Sequence, residues 1–281
     1  MDQLYTLSRV FEGAWEFAQP VHMCFVDLEK AFDRVPRGVL WGSSERLPLS
    51  PILFIIFMDR ISRCSHGVEG IRFGDLRIGS LLFADDVVLL ASSARDLQLS
   101  LDRFAAAYEA AGMKISTSKS EAMVLDRKKV ECLLRVKEEI LPQVEEFKYL
   151  GVLFTSEGRM EREIDRRIRS NADSAHGPLW VAGLSLRDRV RSSAIREELR
   201  VEPLLLRIER SQMGWLGHLV RMPPGRLPGE VFRACPSGRR PPGRPRTRWR
   251  DYVSRLAWER LGIPPDELEE VAGRGKSGLL S

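Results

Sequence analysis

The chain has 281 residues, 43% of them hydrophobic and 30% charged, with 44 Lys and Arg against 39 Asp and Glu for a formal net charge of +5. That is apolar content enough for a buried core and length enough for one large domain or two ordinary ones, and the small charge excess by itself names no partner. Four cysteines, Cys24, Cys64, Cys132 and Cys235, stand far apart with no CxxC pair. This spacing argues against a disulfide framework or a zinc site and for free thiols in a reducing compartment. The longest apolar run, Ile52 to Met58, is too short to span a membrane, and the start MDQLYT lacks a basic flank ahead of an apolar core. An intracellular protein, nuclear or cytoplasmic, with no membrane partner is the expectation.

Taken in chain order, Met23 to Leu28 is an apolar run interrupted by one acid, Asp27, and predicts a buried strand. Ser50 and Pro51 ahead of ILFIIFM predict the capped start of a deeply buried helix. Ile71 to Ile78 reads as two short strands around a Gly-Asp turn. Leu81 to Leu90 has two apolar arms flanking Asp85 and Asp86, the pattern of a tight hairpin with a charged tip. From the capping-box-like Ser93 to Asp96, apolar residues Leu97, Leu101, Phe104, Tyr108 and Ala111 recur at helical spacing up to Gly112.

Phe147 to Phe154 predicts a strand or hairpin, and Met160 to Arg169 a helix in which acids precede arginines by three or four residues. Ser170 to Leu184 reads as a linker or a junction of distant pieces, Arg187 to Arg210 has leucines at helical spacing, and Pro223 to Pro245 is too rich in Pro and Gly for a packed element. Interleaved strands, hairpins and helices make α+β the expected class. The expected division is 1–170 as the mixed domain and 171–281 as a helical and basic region. His176 and His218 have no partner at ligand spacing and receive no role.

A carboxylate among buried apolar residues is costly unless it is paired, protonated or metal-bound. Asp27, Asp85 and Asp86 all interrupt apolar strands, and acids carried by neighbouring strands suit a pair of Mg²⁺ ions, hard cations that take oxygen ligands. Turn chemistry is the competing explanation for Asp85 and Asp86, and on spacing alone it is the commoner one. Between Arg239 and Arg250 there are six arginines and no acid: Arg239, Arg240, Arg244, Arg246, Arg248 and Arg250, with Trp249 among them. Prolines that keep the arginines extended, with a tryptophan able to stack on a base, predict nucleic-acid binding. A solvated, disordered basic segment is the even alternative.

Wider motifs surround these residues. Phe25-Val-Asp-Leu-Glu-Lys-Ala-Phe-Asp-Arg-Val35 and Phe83-Ala-Asp-Asp86 resemble the two catalytic-aspartate motifs of the reverse transcriptases of non-LTR, LINE-type retrotransposons. Pro48 to Phe54, Gly112 to Met123 and Phe147-Lys-Tyr-Leu-Gly151 resemble further motifs of that family, in family order over most of the chain. The resemblance implies a palm-like antiparallel sheet with packed helices. It further implies an RNA template, a DNA primer and deoxynucleoside triphosphates as partners, with two Mg²⁺ ions, or Mn²⁺, as cofactor. Asp27 and Asp85 would be the main metal ligands and Asp86 a weaker one. Phe32 falls where the family has an aromatic gate against the ribose 2′-hydroxyl, although it reads equally as a core phenylalanine. Lys119 falls where a lysine assists the leaving pyrophosphate, although it also reads as an exposed lysine at a helix-to-strand turn.

The pattern departs from the family in three places. Ser43 to Leu47 stands where an Arg-Gln-Gly-Cys run is usual, and Asp27 is followed too soon by Ser50 for the intervening stretch of fingers and palm. Earlier fingers strands are missing ahead of the first motif, and the thumb region around Ser174 to Gly183 is short. A truncated and internally deleted enzyme with weak or lost activity is therefore expected, the alternative being a non-catalytic nucleic-acid-binding remnant or pseudogene-like product.

Overall fold

The computed structural model describes residues 2–29, 58, 70–172, 202–236, 238–243 and 246–274. Two compact units divide it, one of residues 1–159 with 230–244 and the other of residues 160–229 with 245–281. The boundary expected at residue 170 falls inside a helix of the second unit, Glu161–Ala172, which continues across it.

The first unit is built on a four-stranded antiparallel sheet in the order β4-β5-β1-β6, made of β1 (Val21–Glu29), β4 (Ser80–Phe83), β5 (Asp86–Ala91) and β6 (Lys114–Leu125). β1 is central and covered on both faces, which is why its apolar run is continuous rather than alternating. On one face Cys24, Val26 and Leu28 of β1 join Val87, Leu89 and Ala91 of β5 and Ala122 and Val124 of β6. There they meet Leu97, Leu101, Phe104 and Tyr108 of helix α2 (Ala94–Ala110) in a single core. Those four α2 residues are fully buried, as their helical spacing predicts. Ser93 caps α2: its hydroxyl accepts from the Asp96 amide at 3.1 Å and donates to the Asp96 carboxylate at 2.6 Å.

Met23 and Phe25 of β1 point to the opposite face, since successive strand residues alternate. Phe25 stacks there on Phe147 at 3.6 Å between ring centroids. Phe147 belongs to the hairpin β9 (Glu146–Tyr149) and β10 (Val152–Thr155), and Phe154 of that hairpin meets Phe11 edge-on at 5.2 Å. Phe11 lies on helix α1 (Asp2–Phe17), which buries Leu7, Val10, Phe11 and Ala14 at helical spacing. Gln3 anchors α1 to β4 by donating to the Leu82 carbonyl at 2.9 Å. Two smaller hairpins, β2 (Ile71–Phe73) with β3 (Leu76–Ile78) and β7 (Arg135–Val136) with β8 (Glu139–Ile140), complete the strands among the described residues. The mixed helix and antiparallel-sheet class agrees with the α+β expectation.

In the second unit α3 (Glu161–Ala172) carries Glu163 between Arg166 and Arg167, the acid-before-arginine pairing its sequence suggests. Helix α4 (Leu204–Val220) packs on α6 (Trp249–Leu261) and α7 (Leu268–Gly273). An ion pair from Arg260 to Glu209 and a hydrogen bond from Arg221 to the Ala272 carbonyl, both near 2.9 Å, add polar ties.

One expectation is corrected. Leu227–Arg233 within the Pro/Gly-rich stretch forms helix α5, with Val231 and Phe232 buried. Its proline, Pro228, sits in the first turn, where the missing amide costs nothing, and the remaining prolines and glycines fall mostly outside it. The helix expected after Ser50 lies outside the described residues except for Met58, which is helical and buried. The junction expected around Ser174 to Gly183 also lies outside them.

Candidate functional site

The antiparallel ladder of β1 and β5 ends at Val26 opposite Val87, and Asp27 and Asp86 follow at that end, near enough for the Asp27 charge to act on Asp86. Both aspartates lie on the Phe25 face, opposite α2. Asp85 is in the two-residue turn that joins β4 to β5, where Phe83 pairs with Asp86. Its neighbour Ala84 has φ 54°, a left-handed conformation that costs a non-glycine residue about 1–3 kcal/mol. That turn lifts the acids to the exposed tip of the hairpin.

Asp86 responds to both of its acidic neighbours. The Asp86 carboxyl holds its proton above the ordinary range because it is partly desolvated and because Asp85 and then Asp27 repel its charge. Tyr149 of β9 stands on this face too, 2% exposed, its hydroxyl without a hydrogen-bond partner among the described residues. Burial and the Asp86 charge push its phenol well above its usual range. Glu121, opposite Phe25 on β6, is a further half-buried carboxylate on the same face, raised by desolvation.

β6 is irregular where it passes Asp27. Its register against β1 shifts between Phe25 and Asp27, so that Glu121 faces Phe25 but Ser116 faces Asp27. The Ser120 hydroxyl closes the bulge by accepting from the Asp27 amide at 3.0 Å and donating to the Ser116 carbonyl at 2.7 Å. Lys119, on the bulge, places Nζ 3.8 Å from Asp27 Oδ2. The lysine is exposed as expected, but within a strand bulge rather than at a helix-to-strand turn. Ser120, Glu121 and Tyr149 were not singled out from sequence. The polar run Ser-Thr-Ser-Lys-Ser carries no strand alternation, and Tyr149 reads as an ordinary strand aromatic.

The donor chemistry suits a hard divalent cation: the acids on this face are all oxygen donors, and their mutual repulsion is what such an ion would relieve. As the side chains stand, no group of three His, Cys, Asp or Glu among the described residues is disposed to hold a metal ion.

The remaining expected residues are dispersed. Phe32 and Arg244 lie outside the described residues. Arg239 and Arg240 are exposed in the first unit, Arg240 paired with Glu16 and lying over the Phe17 ring at 5.6 Å. Arg246, Arg248, Trp249 and Arg250 fall in the second unit. The extended conformation expected for the segment does not hold at its end. Trp249 opens α6 and donates its indole N–H to Gln212, and Arg250 pairs with Glu269. Cys24, Cys132 and Cys235 are free thiols, the first two buried. No helix among the described residues is long and apolar enough to cross a membrane.

An antiparallel sheet with an acid-tipped hairpin beside a strand-borne aspartate is the frame on which the sequence relationships fall. Residues 47–154 match the family described as reverse transcriptase (RNA-dependent DNA polymerase). The chain is 34% identical over 143 residues to the Retrovirus-related Pol polyprotein from type-1 retrotransposable element R2 of Nasonia vitripennis, covering 47% of this chain and 14% of that protein. It is 32% identical over 134 residues to the corresponding polyprotein from type-2 retrotransposable element R2DM of Drosophila melanogaster, covering 44% and 12% respectively. Over the matched stretch the chain is similar to reverse transcriptases and to these R2 retrotransposable-element polyproteins. It spans about a seventh of the length of these relatives.

Proposed function

We propose that this chain carries the nucleotidyl-transfer centre of a non-LTR retrotransposon reverse transcriptase, extending a DNA primer on an RNA template from deoxynucleoside triphosphates, at low turnover. The observation that carries the proposal is the proximity of Asp27 and Asp85 to Asp86, whose proton affinity their charges raise. In this reading the sheet is the palm of the polymerase, and the hairpin stacked on Phe25 lies beside the acids where a primer end would rest.

Asp27 and Asp85 would hold the divalent cations, Mg²⁺ or Mn²⁺, with Asp86 as a weaker ligand. When bound, such a pair lowers the pKa of the primer 3′-hydroxyl and stabilises charge on the phosphate under in-line attack. The chain's own contribution is placement. β1 and the β4–β5 turn bring the acids together, and Ser120 secures the Asp27 backbone. Lys119, beside Asp27, can offer its ammonium to the leaving pyrophosphate. Low turnover follows from the substituted Ser43 to Leu47 segment and the short interval between Asp27 and Ser50. Misplacing a substrate by about 1 Å costs on the order of 10²-fold in rate.

The second reading, a non-catalytic nucleic-acid-binding remnant, is favoured by one observation: no trio of side chains is disposed to hold a metal ion among the described residues. Primer extension on an RNA template with Mg²⁺ separates the two. Slow incorporation that vanishes in Asp85→Ala supports the enzyme. Salt-sensitive RNA binding without incorporation, unchanged by Asp27→Asn, supports the remnant.

A further inference from the structure

Between α1 and the β2–β3 hairpin lies a cavity of about 240 Å³. Val10, Ala14, Pro20, Ile71, Phe73 and Pro236 give it an apolar wall. Gly13 lets Phe73 pack close to α1 there, since a Cβ at that position would stand 2.6 Å from the ring. Val21, the first residue of β1, also lines the cavity, which places it about 20 Å along that strand from Asp27.

Two features of β2 add polar groups to this apolar site. Among the described residues β2 pairs only with β3, so its other edge is open. In a hairpin closed by a two-residue turn, the flanking pair, Phe73 and Leu76, exchanges both ladder hydrogen bonds and the next pair, Arg72 and Arg77, exchanges none. The Arg72 N–H and C=O therefore point out of the open edge, and Arg72 is one of the residues that line the cavity. The second feature is charge. Arg72 and Arg77 are both exposed and stand directly opposite each other, a like-charge pair that weakens a hairpin and that an anion between them would relieve. The one acid of the hairpin, Asp75, is in the turn.

We propose that this cavity binds a nucleotide unit, with the base among the apolar residues, an edge of the base on the Arg72 main chain and the phosphate on the Arg72 and Arg77 guanidinium groups. Every nucleobase carries a hydrogen-bond donor beside an acceptor, which one N–H and one C=O side by side can meet. The cavity is smaller than the roughly 300–1,000 Å³ of sites for drug-sized ligands, and so suits a single ring system. Aromatic and apolar walls accept a base by its face, and the planar fork of arginine matches phosphate oxygens. The unit can be a free nucleotide or one residue of a single strand, since both present the same base and phosphate. None of the acids of the candidate centre takes part, so this site and the polymerase reading stand or fall separately.

The test is titration calorimetry of the full chain with adenosine 5′-monophosphate, adenosine and ribose 5-phosphate, in EDTA so that no divalent cation contributes. The monophosphate should bind saturably, and the two fragments should each bind roughly tenfold or more weaker. Arg77→Met should weaken the monophosphate by roughly tenfold and leave adenosine unchanged, because only the phosphate contact is lost. Ala14→Leu, which fills the cavity, should weaken both together. Arg77 is exposed, so its variant decides the matter even where Ala14→Leu does not fold. Arg103→Met is the charge control, since Arg103 is exposed on α2, across the sheet from α1. A short oligoadenylate that binds more tightly than the monophosphate, with the same loss in Arg77→Met, assigns the site to a single strand; equal affinities assign it to the free nucleotide. Absence of saturable binding, ribose 5-phosphate binding as well as the monophosphate, or an equal loss in Arg103→Met and Arg77→Met would overturn the proposal.

Discussion

Asp27 illustrates what a single residue costs and returns. Its backbone is held on the β6 side, opposite Ser116 and by the Ser120 hydroxyl, while its carboxylate is left half-exposed beside Lys119. The same strand holds a second polar residue with a different fate. His22 is 6% exposed, its Nδ1 has no hydrogen-bond partner among the described residues, and burial lowers its proton affinity, with Asp126 opposing in part. Because the folded pKa lies below the ordinary 6.5, the unfolded chain binds the extra proton first as pH falls. The stabilisation from a neutral His22 is therefore complete above about pH 6.5 and is lost progressively as pH drops toward the folded pKa. Urea unfolding of the parent and of His22→Gln across pH 7.5 to 5 should show the parent losing stability faster below about pH 6.5. Parallel curves would show that His22 is not buried as described.

At the scale of elements, the two hairpins of the acid face solve the same two-residue turn differently. Leu150 and Gly151 both have positive φ, 47° and 83°, the combination whose twist matches paired strands. No atom lies within 4 Å of a Cβ placed at Gly151, so Gly151→Ala should cost about 1 kcal/mol through backbone conformation alone. Thermal unfolding measures it, and an unchanged midpoint would mean the turn is not of this type. Ala84 in the β4–β5 turn already bears that cost next to the acids. What the sequence reveals of these elements follows from how local their causes are. The hairpins at Gly74 and Asp85 and the helix from Ser93 are readable because turn residues, a cap and helical spacing sit within a few positions of one another. α1 carries Leu7, Val10, Phe11 and Ala14 at helical spacing and was open to the same reading. The bulge was not, because its polar residues are organised by contacts with β1, a strand about ninety residues away in the chain.

For the whole molecule, the relationship and the chemistry are separate questions. The match to reverse transcriptases covers residues 47–154, and Asp85 and Asp86 fall inside it while Asp27 precedes it. The site was legible where acids break apolar strands, since such acids need a partner that composition does not supply. The basic segment was less so. Its described arginines are divided between two compact units, and Arg240 and Arg250 are paired with Glu16 and Glu269, contacts no linear pattern announces. Whether Asp27, Asp85 and Asp86 together hold divalent cations is read from anomalous diffraction of crystals of the full chain soaked in Mn²⁺. A Mn²⁺ peak bounded by the carboxylates of Asp27 and Asp85, lost in Asp27→Asn, is the expected result. Mn²⁺ peaks elsewhere on the molecule, with none at these aspartates, would contradict it.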